Sequence, residues 1–235
     1  MGQLIGNYNY MIRRIRMLLE EQYRLGQEKK GAELMALQSQ INPHFLYNSL
    51  NSIRWMAMMT NNVKVADSIV MLTRIITPVF RNPSLTWKIR DELEFIDNYI
   101  GMMMLRYSGS LEYKMECRED LKEESFPRFV LQPVIENCFV HCRNKAEDMK
   151  IRVAIDKTEA GFVIEVRNTA EYAEEERLAQ VTEQLRNTKE ASGEDVGLYN
   201  VVKRLRYLYG EECSIILFRE KNEVVSRISF PGKPS

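Results

Sequence analysis

The chain has 235 residues, and its 33 acidic and 33 basic side chains cancel to a formal charge of zero. That length suffices for one large domain or two modest ones. Neutrality argues against a broad polyanion-binding face such as a DNA interface, and so against direct nucleic-acid work. No apolar run reaches the ~18 residues of a membrane-spanning helix. Met1-Gly2-Gln3-Leu4 leads straight into a charged helix rather than a signal peptide. The four cysteines form no Cys-x-x-Cys pair in a core-rich chain, which points to a reducing compartment. Cys138, His141 and Cys142 lie close in sequence, but with no second ligand cluster the favoured reading is a cysteine packed in a core.

From about Leu4 to Gln22, Ile5, Tyr8, Ile12, Ile15, Leu19 and Gln22 alternate in steps of three and four, the seam of a dimerising helix. The register breaks near Gly26 to Gly31 and resumes at Leu34, Leu37 and Ile41. Pro43 removes a donor and crowds the preceding turn, which predicts a kink just before His44. The pattern is helical again to about Met59. After a turn at Asn61-Asn62, a second helix runs from Lys64 to Phe80, with Ala66, Ile69, Val70, Leu72 and Ile76 on its apolar stripe. Two such hairpins would form a four-helix bundle in a dimer. Asn82-Pro83-Ser84 ends that helix, and a further one passes through Leu93, Ile96, Tyr99, Ile100 and Met103.

From Leu111 the reading turns to mixed α and β. Strands are predicted at 111–117, 150–156, 162–167, 214–219 and 224–229, with tight turns at 157–161 and Lys221-Asn222. Helices are predicted at 128–142, 173–185 and 198–209, the first carrying Pro127 and Pro133 near its start. A three-helix, mixed-sheet sandwich accounts for this order, so the fold class is α+β.

Three segments carry chemistry. The first runs from Leu37 to Ile53 and contains Asn42-Pro43-His44-Phe45-Leu46-Tyr47-Asn48. A neutral imidazole is a nucleophile near neutral pH. Asn48 lies one helical turn beyond His44, where its amide can orient the ring or a water. No carboxylate adjoins His44, so a general base must come from elsewhere, and Glu136 is the candidate. The second segment is Pro127-Arg128-Phe129-Val130-Leu131-Gln132-Pro133-Val134-Ile135-Glu136-Asn137-Cys138-Phe139-Val140-His141. The third is Val196-Gly197-Leu198-Tyr199-Asn200, continuing as a helix to Gly210.

The first segment resembles the phospho-acceptor region of LytS/YesM-type sensor histidine kinases. The second resembles the asparagine-containing helix of GHKL-type ATP-binding domains, and the third their later glycine box. Gly2 to Ile15 resembles the last helix of a HAMP linker. The resemblance covers essentially the whole chain. It implies a signalling helix over 1–31, a dimerisation and histidine-transfer region over 32–105, and an ATP-binding sandwich over 106–235. It also implies upstream membrane helices with a sensor, placing these residues on the cytoplasmic side of the membrane.

By position, His44 would take the γ-phosphoryl group of ATP and pass it to an aspartate of a response regulator, often AraC-like in YesM-type relatives. Asn137 would hold Mg²⁺, and Glu136 would activate or orient the reacting groups. His141, Asn168, Gly197, Leu198 and Asn200 would line the nucleotide. Relatives commonly carry lysine at Val140 and glycine at Cys142, Ala170, Tyr172 and Asp195. Losing a cation and gaining an anion disfavours phosphates. Two rival readings follow: a non-catalytic dimeric signalling module, and a GHKL ATPase without phosphohistidine.

Overall fold

The computed structural model describes residues 43–81, 84–106, 111–141, 149–169, 174–187 and 196–232. The expected coiled-coil seam, the backbone before Pro43, Cys142, Ala170, Tyr172 and Asp195 lie outside the described residues. The chain divides into two compact units, Met1–Met56 and Ala57–Ser235, each considered by itself.

The first described element is α1 (Pro43–Met59). Asn61 adopts φ 55°, and the Asn62 side chain accepts from the Val65 amide, capping α2 (Val63–Arg81). The turn expected at Asn61-Asn62 is therefore present. Pro78 lies inside α2, in its last turn.

A short strand β1 (Thr86–Lys88) precedes α3 (Ile89–Arg106), on which Ile89, Leu93, Ile96 and Ile100 form one buried face. Next come β2 (Leu111–Cys117), a 3₁₀ turn at Glu119–Leu121, β3 (Ser125–Pro127) and α4 (Leu131–His141). After these follow β4 (Met149–Thr158), β5 (Gly161–Thr169), α5 (Glu175–Arg186), α6 (Val196–Tyr209), β6 (Ser214–Glu220) and β7 (Glu223–Phe230).

The five-stranded sheet has the order β2-β4-β5-β7-β6, with β2 parallel to β4 and the other neighbours antiparallel. The parallel pair needs a long crossover, and the segment carrying β3 and α4 supplies it. On one face of the sheet, Ile151, Val153, Ile164, Val166 and Ile228 pack with buried residues of α4, α5 and α6. The other face carries charge: Glu165 accepts from Arg167 and Arg227, and the Arg227 guanidinium lies over Phe218. This is the predicted α+β sandwich, with all five predicted strands in place.

Two features differ from expectation. A small two-stranded sheet, β1 against β3, pairs Trp87 with Phe126. Three-residue strands of this kind leave no alternation long enough to read. In addition, α4 begins at Leu131, three residues later than the sequence pattern predicts, and Pro127 belongs to β3. The physical reason is Phe129, whose φ of 55° cannot continue a right-handed helix.

Candidate active site

His44 and Asn48 are both exposed on α1, one turn apart, and the Asn48 Nδ2 lies 3.2 Å from His44 Nδ1. The i,i+4 spacing alone produces this contact. With the amide as donor, Nδ1 accepts and the ring hydrogen is on Nε2. Turned over, the same amide would accept from Nδ1–H and place the ring lone pair on Nε2. The orientation of the Asn48 amide and the tautomer of His44 are therefore linked.

The other candidates lie in the second unit. Leu131, Val134, Ile135, Cys138 and Phe139 recur at helical spacing on the buried face of α4, which leaves Glu136 exposed and Asn137 half-buried. Cys138 is buried and donates to the Val134 carbonyl, as a core cysteine does. Among the described residues no cluster of His, Cys, Asp or Glu forms a metal site of that kind. Val140, where the resemblance calls for lysine, is an exposed apolar side chain, 51% accessible. Of His141 the backbone alone is described, at the end of α4.

Asn168 is buried near the end of β5, paired in register with Ile151 and Val224. Gly197, in the first turn of α6, sits against α4: a β-carbon there would come within 3.2 Å of Pro133 Cβ. The bare glycine thus lets the start of α6 approach the start of α4. Leu198 is fully buried, which keeps its side chain in the core and away from any ligand. Asn200 is exposed on the same helix. Helix α4 contacts both β5 and α6, so Asn137 lies on a helix that adjoins the elements carrying Asn168 and Gly197.

Sequence reasoning missed the residues that hold α4 at its start. Glu92 is fully buried. Its Oε2 accepts from Trp87 Nε1 and from the Phe129 amide, each at 2.8 Å, and its Oε1 accepts from the Leu131 amide at 2.8 Å. Burial pushes its pKa up to about 7, even though these three donors and the nearby Arg204 favour the anion. Arg204 on α6 donates to the Phe129 carbonyl at 2.6 Å. Burial also holds the Arg204 pKa below its usual value. A signal was present in the sequence: Glu92 stands three residues after Ile89 and four before Ile96, on the apolar stripe of α3.

Comparison with known proteins bears on what this arrangement is. Residues 32–111 match the family described as histidine kinase. The sensor protein LytS of Bacillus cereus is 31% identical over 200 residues, covering 83% of this chain and 33% of that protein. The sensor histidine kinase YesM of Bacillus subtilis is 26% identical over 220 residues, covering 93% of this chain and 36% of that protein. The chain thus spans about a third of the length of the curated relatives it matches. Among solved structures, the nucleotide-free catalytic domain of histidine kinase ThkA is 12% identical, with a TM-score of 0.47. It covers 64% of this chain and 97% of that one, a likeness too distant to add to the fold described above. No described helix is long and apolar enough to cross a membrane. With the acceptor-like segment lying inside the matched residues and the relatives aligned along most of its length, the chain belongs to the LytS/YesM-type sensor histidine kinase family.

Proposed function

We propose that this chain is the cytoplasmic kinase part of a two-component sensor. In this reading it autophosphorylates on His44 with ATP and transfers the phosphoryl group to an aspartate of a response regulator. The observation that carries the proposal is the exposed His44, hydrogen-bonded by Asn48 at the start of α1. A solvent-exposed position suits a residue that must meet both a donor nucleotide and a regulator.

A ring nitrogen of His44 attacks the γ-phosphorus with its lone pair as the bond to the bridging oxygen breaks, and ADP leaves with that electron pair. Asn48 sets the tautomer. Glu136, exposed on α4, takes up a proton or orients the reacting groups. The carbonyl oxygen of Asn137 and the neighbouring carboxylate of Glu136 suit a hard cation, and Mg²⁺ held there would neutralise phosphate charge. Asn168, the amides at Gly197 and Leu198, Asn200 and His141 complete the nucleotide's surroundings. The working unit is a homodimer whose helical hairpins form a four-helix bundle, attached upstream to a membrane sensor. An AraC-like regulator is the partner.

The test is incorporation of label from radiolabelled ATP with Mg²⁺. Acid-labile, base-stable label on the wild type, lost completely in His44→Gln, is the expected result. Label that survives this substitution overturns the acceptor assignment. A second reading, a non-catalytic module, is favoured by Val140, which offers no cation where the resemblance places one. It predicts no Mg²⁺-dependent nucleotide binding.

A further inference from the structure

The turn on which α4 starts is held far more firmly than a connecting loop requires. Phe129 sits at φ 55°, a left-handed conformation that a bulky L-residue adopts only when its surroundings impose it. Its amide is taken by Glu92, its carbonyl by Arg204, and its ring packs 4.9 Å from Phe95 and 5.1 Å from Trp87. The residue before it, Arg128, is itself 6% exposed. Its guanidinium lies over Trp87 and Phe129, at 4.7 and 4.9 Å from the ring centres. It donates to the Ser84 carbonyl at 3.2 Å and to the Pro78 carbonyl, while its own amide donates to the Leu85 carbonyl.

Pro78 lies in the last described turn of α2, where late carbonyls commonly lack a partner inside a helix. A cation at that end also complements the helix dipole. Nothing in a plain loop calls for a buried cation, because removing a charge from water is costly unless geometry repays it. Here the geometry joins three elements. Arg128 ties the turn to the end of α2, Glu92 ties it to α3, and Arg204 ties it to α6. Seven residues past Phe129, on the helix this turn launches, stands Glu136, followed by Asn137.

We propose that Arg128 and Arg204 are positioning residues, which lock the Phe129 turn to the end of α2 and to α6 and so set where α4 presents Glu136 and Asn137. A displacement of the α2 end then reaches α4 through the Arg128 side chain instead of being absorbed by a loose connection. This inference rests on the functional reading above for the roles of Glu136 and Asn137. The clamp itself rests on contacts alone.

Lysine keeps the charge at either position but loses the planar fork, so it cannot hold the Pro78 and Ser84 carbonyls together while stacked on Trp87. In the full 235-residue chain, Arg128→Lys and Arg204→Lys are each compared with wild type by two measurements. In hydrogen exchange, the amides of Val134 to Cys138 should exchange about tenfold faster in each variant, with those of β4 and β5 unchanged. In autophosphorylation, kcat should fall about tenfold with KM for ATP within about twofold, because Asn168 and Gly197 lie outside the turn.

Unchanged exchange in both variants overturns the clamp. Faster exchange spread evenly over the sheet also overturns it, because that marks general loosening. Faster exchange in α4 with unchanged kcat overturns the positioning role. Wild-type protein that incorporates no label refutes the kinase reading, and the exchange measurement still decides the clamp.

Discussion

The start of α1 and the start of α4 carry the two halves of the proposed chemistry, and they are built in opposite ways. At α1, His44 and Asn48 meet because they are four residues apart on one exposed helix. At α4, the first turn depends on Glu92, 37 residues before Phe129, and on Arg204, 75 residues after it. A local site tolerates change around it and can move as a unit. A site defined by distant side chains holds its geometry as long as the surrounding packing does, and it reports on that packing. An exposed histidine and a firmly held helix start are what the proposed transfer between separate partners calls for.

The sharpest way to break this contrast is to titrate the α4 side. Glu92 has a folded pKa raised from 4.5 to about 7. A raised carboxyl binds its proton more tightly in the folded state, so its stabilising contribution is full below pH 4.5 and is lost as pH rises through 7. The shift corresponds to on the order of 3 kcal/mol. Urea unfolding at pH 5 and pH 8 should show wild type losing that much relative to Glu92→Gln. A difference between the two proteins that stays constant with pH would remove Glu92 from the account.

A smaller effect is expected from Trp87→Phe, which keeps an aromatic ring beside Phe95 but deletes the donor to Glu92 Oε2. A hydrogen bond to a carboxylate is worth about 2 kcal/mol, and the urea midpoint should fall accordingly. Stability within error of wild type would show that the two backbone amides suffice to hold Glu92.

The smallest effect on the fold is expected on the α1 side. Asn48→Ala should leave stability within about 0.5 kcal/mol, because Asn48 is exposed. Label incorporation on His44 should nonetheless drop, because the ring loses the partner that selects its tautomer. A substantial loss of stability would make Asn48 a structural residue and erase the contrast between the two helices.

Legibility in the sequence followed the same division. The acceptor segment, the α2 stripe and the alternation of Leu111 to Cys117 could be read directly, because a helix of period 3.6 and a strand of period 2 leave their marks on consecutive residues. The strand β2 runs over the predicted residues without change. The first turn of α4 was misplaced by three residues because the residue that stops the helix, Phe129, has no intrinsic preference for φ 55°. Its conformation is imposed by partners on α3 and α6. Glu92 stands on the apolar stripe of α3, but the backbone donors that hold it there come from residues far along the chain, which no local pattern marks.

By itself, then, the sequence determined the α+β order of elements and the pairing of His44 with Asn48, because both depend on separations of a few residues. Only the tertiary structure decided the parallel pairing of β2 with β4, the contact of Gly197 with Pro133 and the buried carboxylate and guanidinium groups around Phe129. These join residues far apart in the chain, where water is excluded. There a charged group stays buried because partners have been brought to it, as three donors are to Glu92.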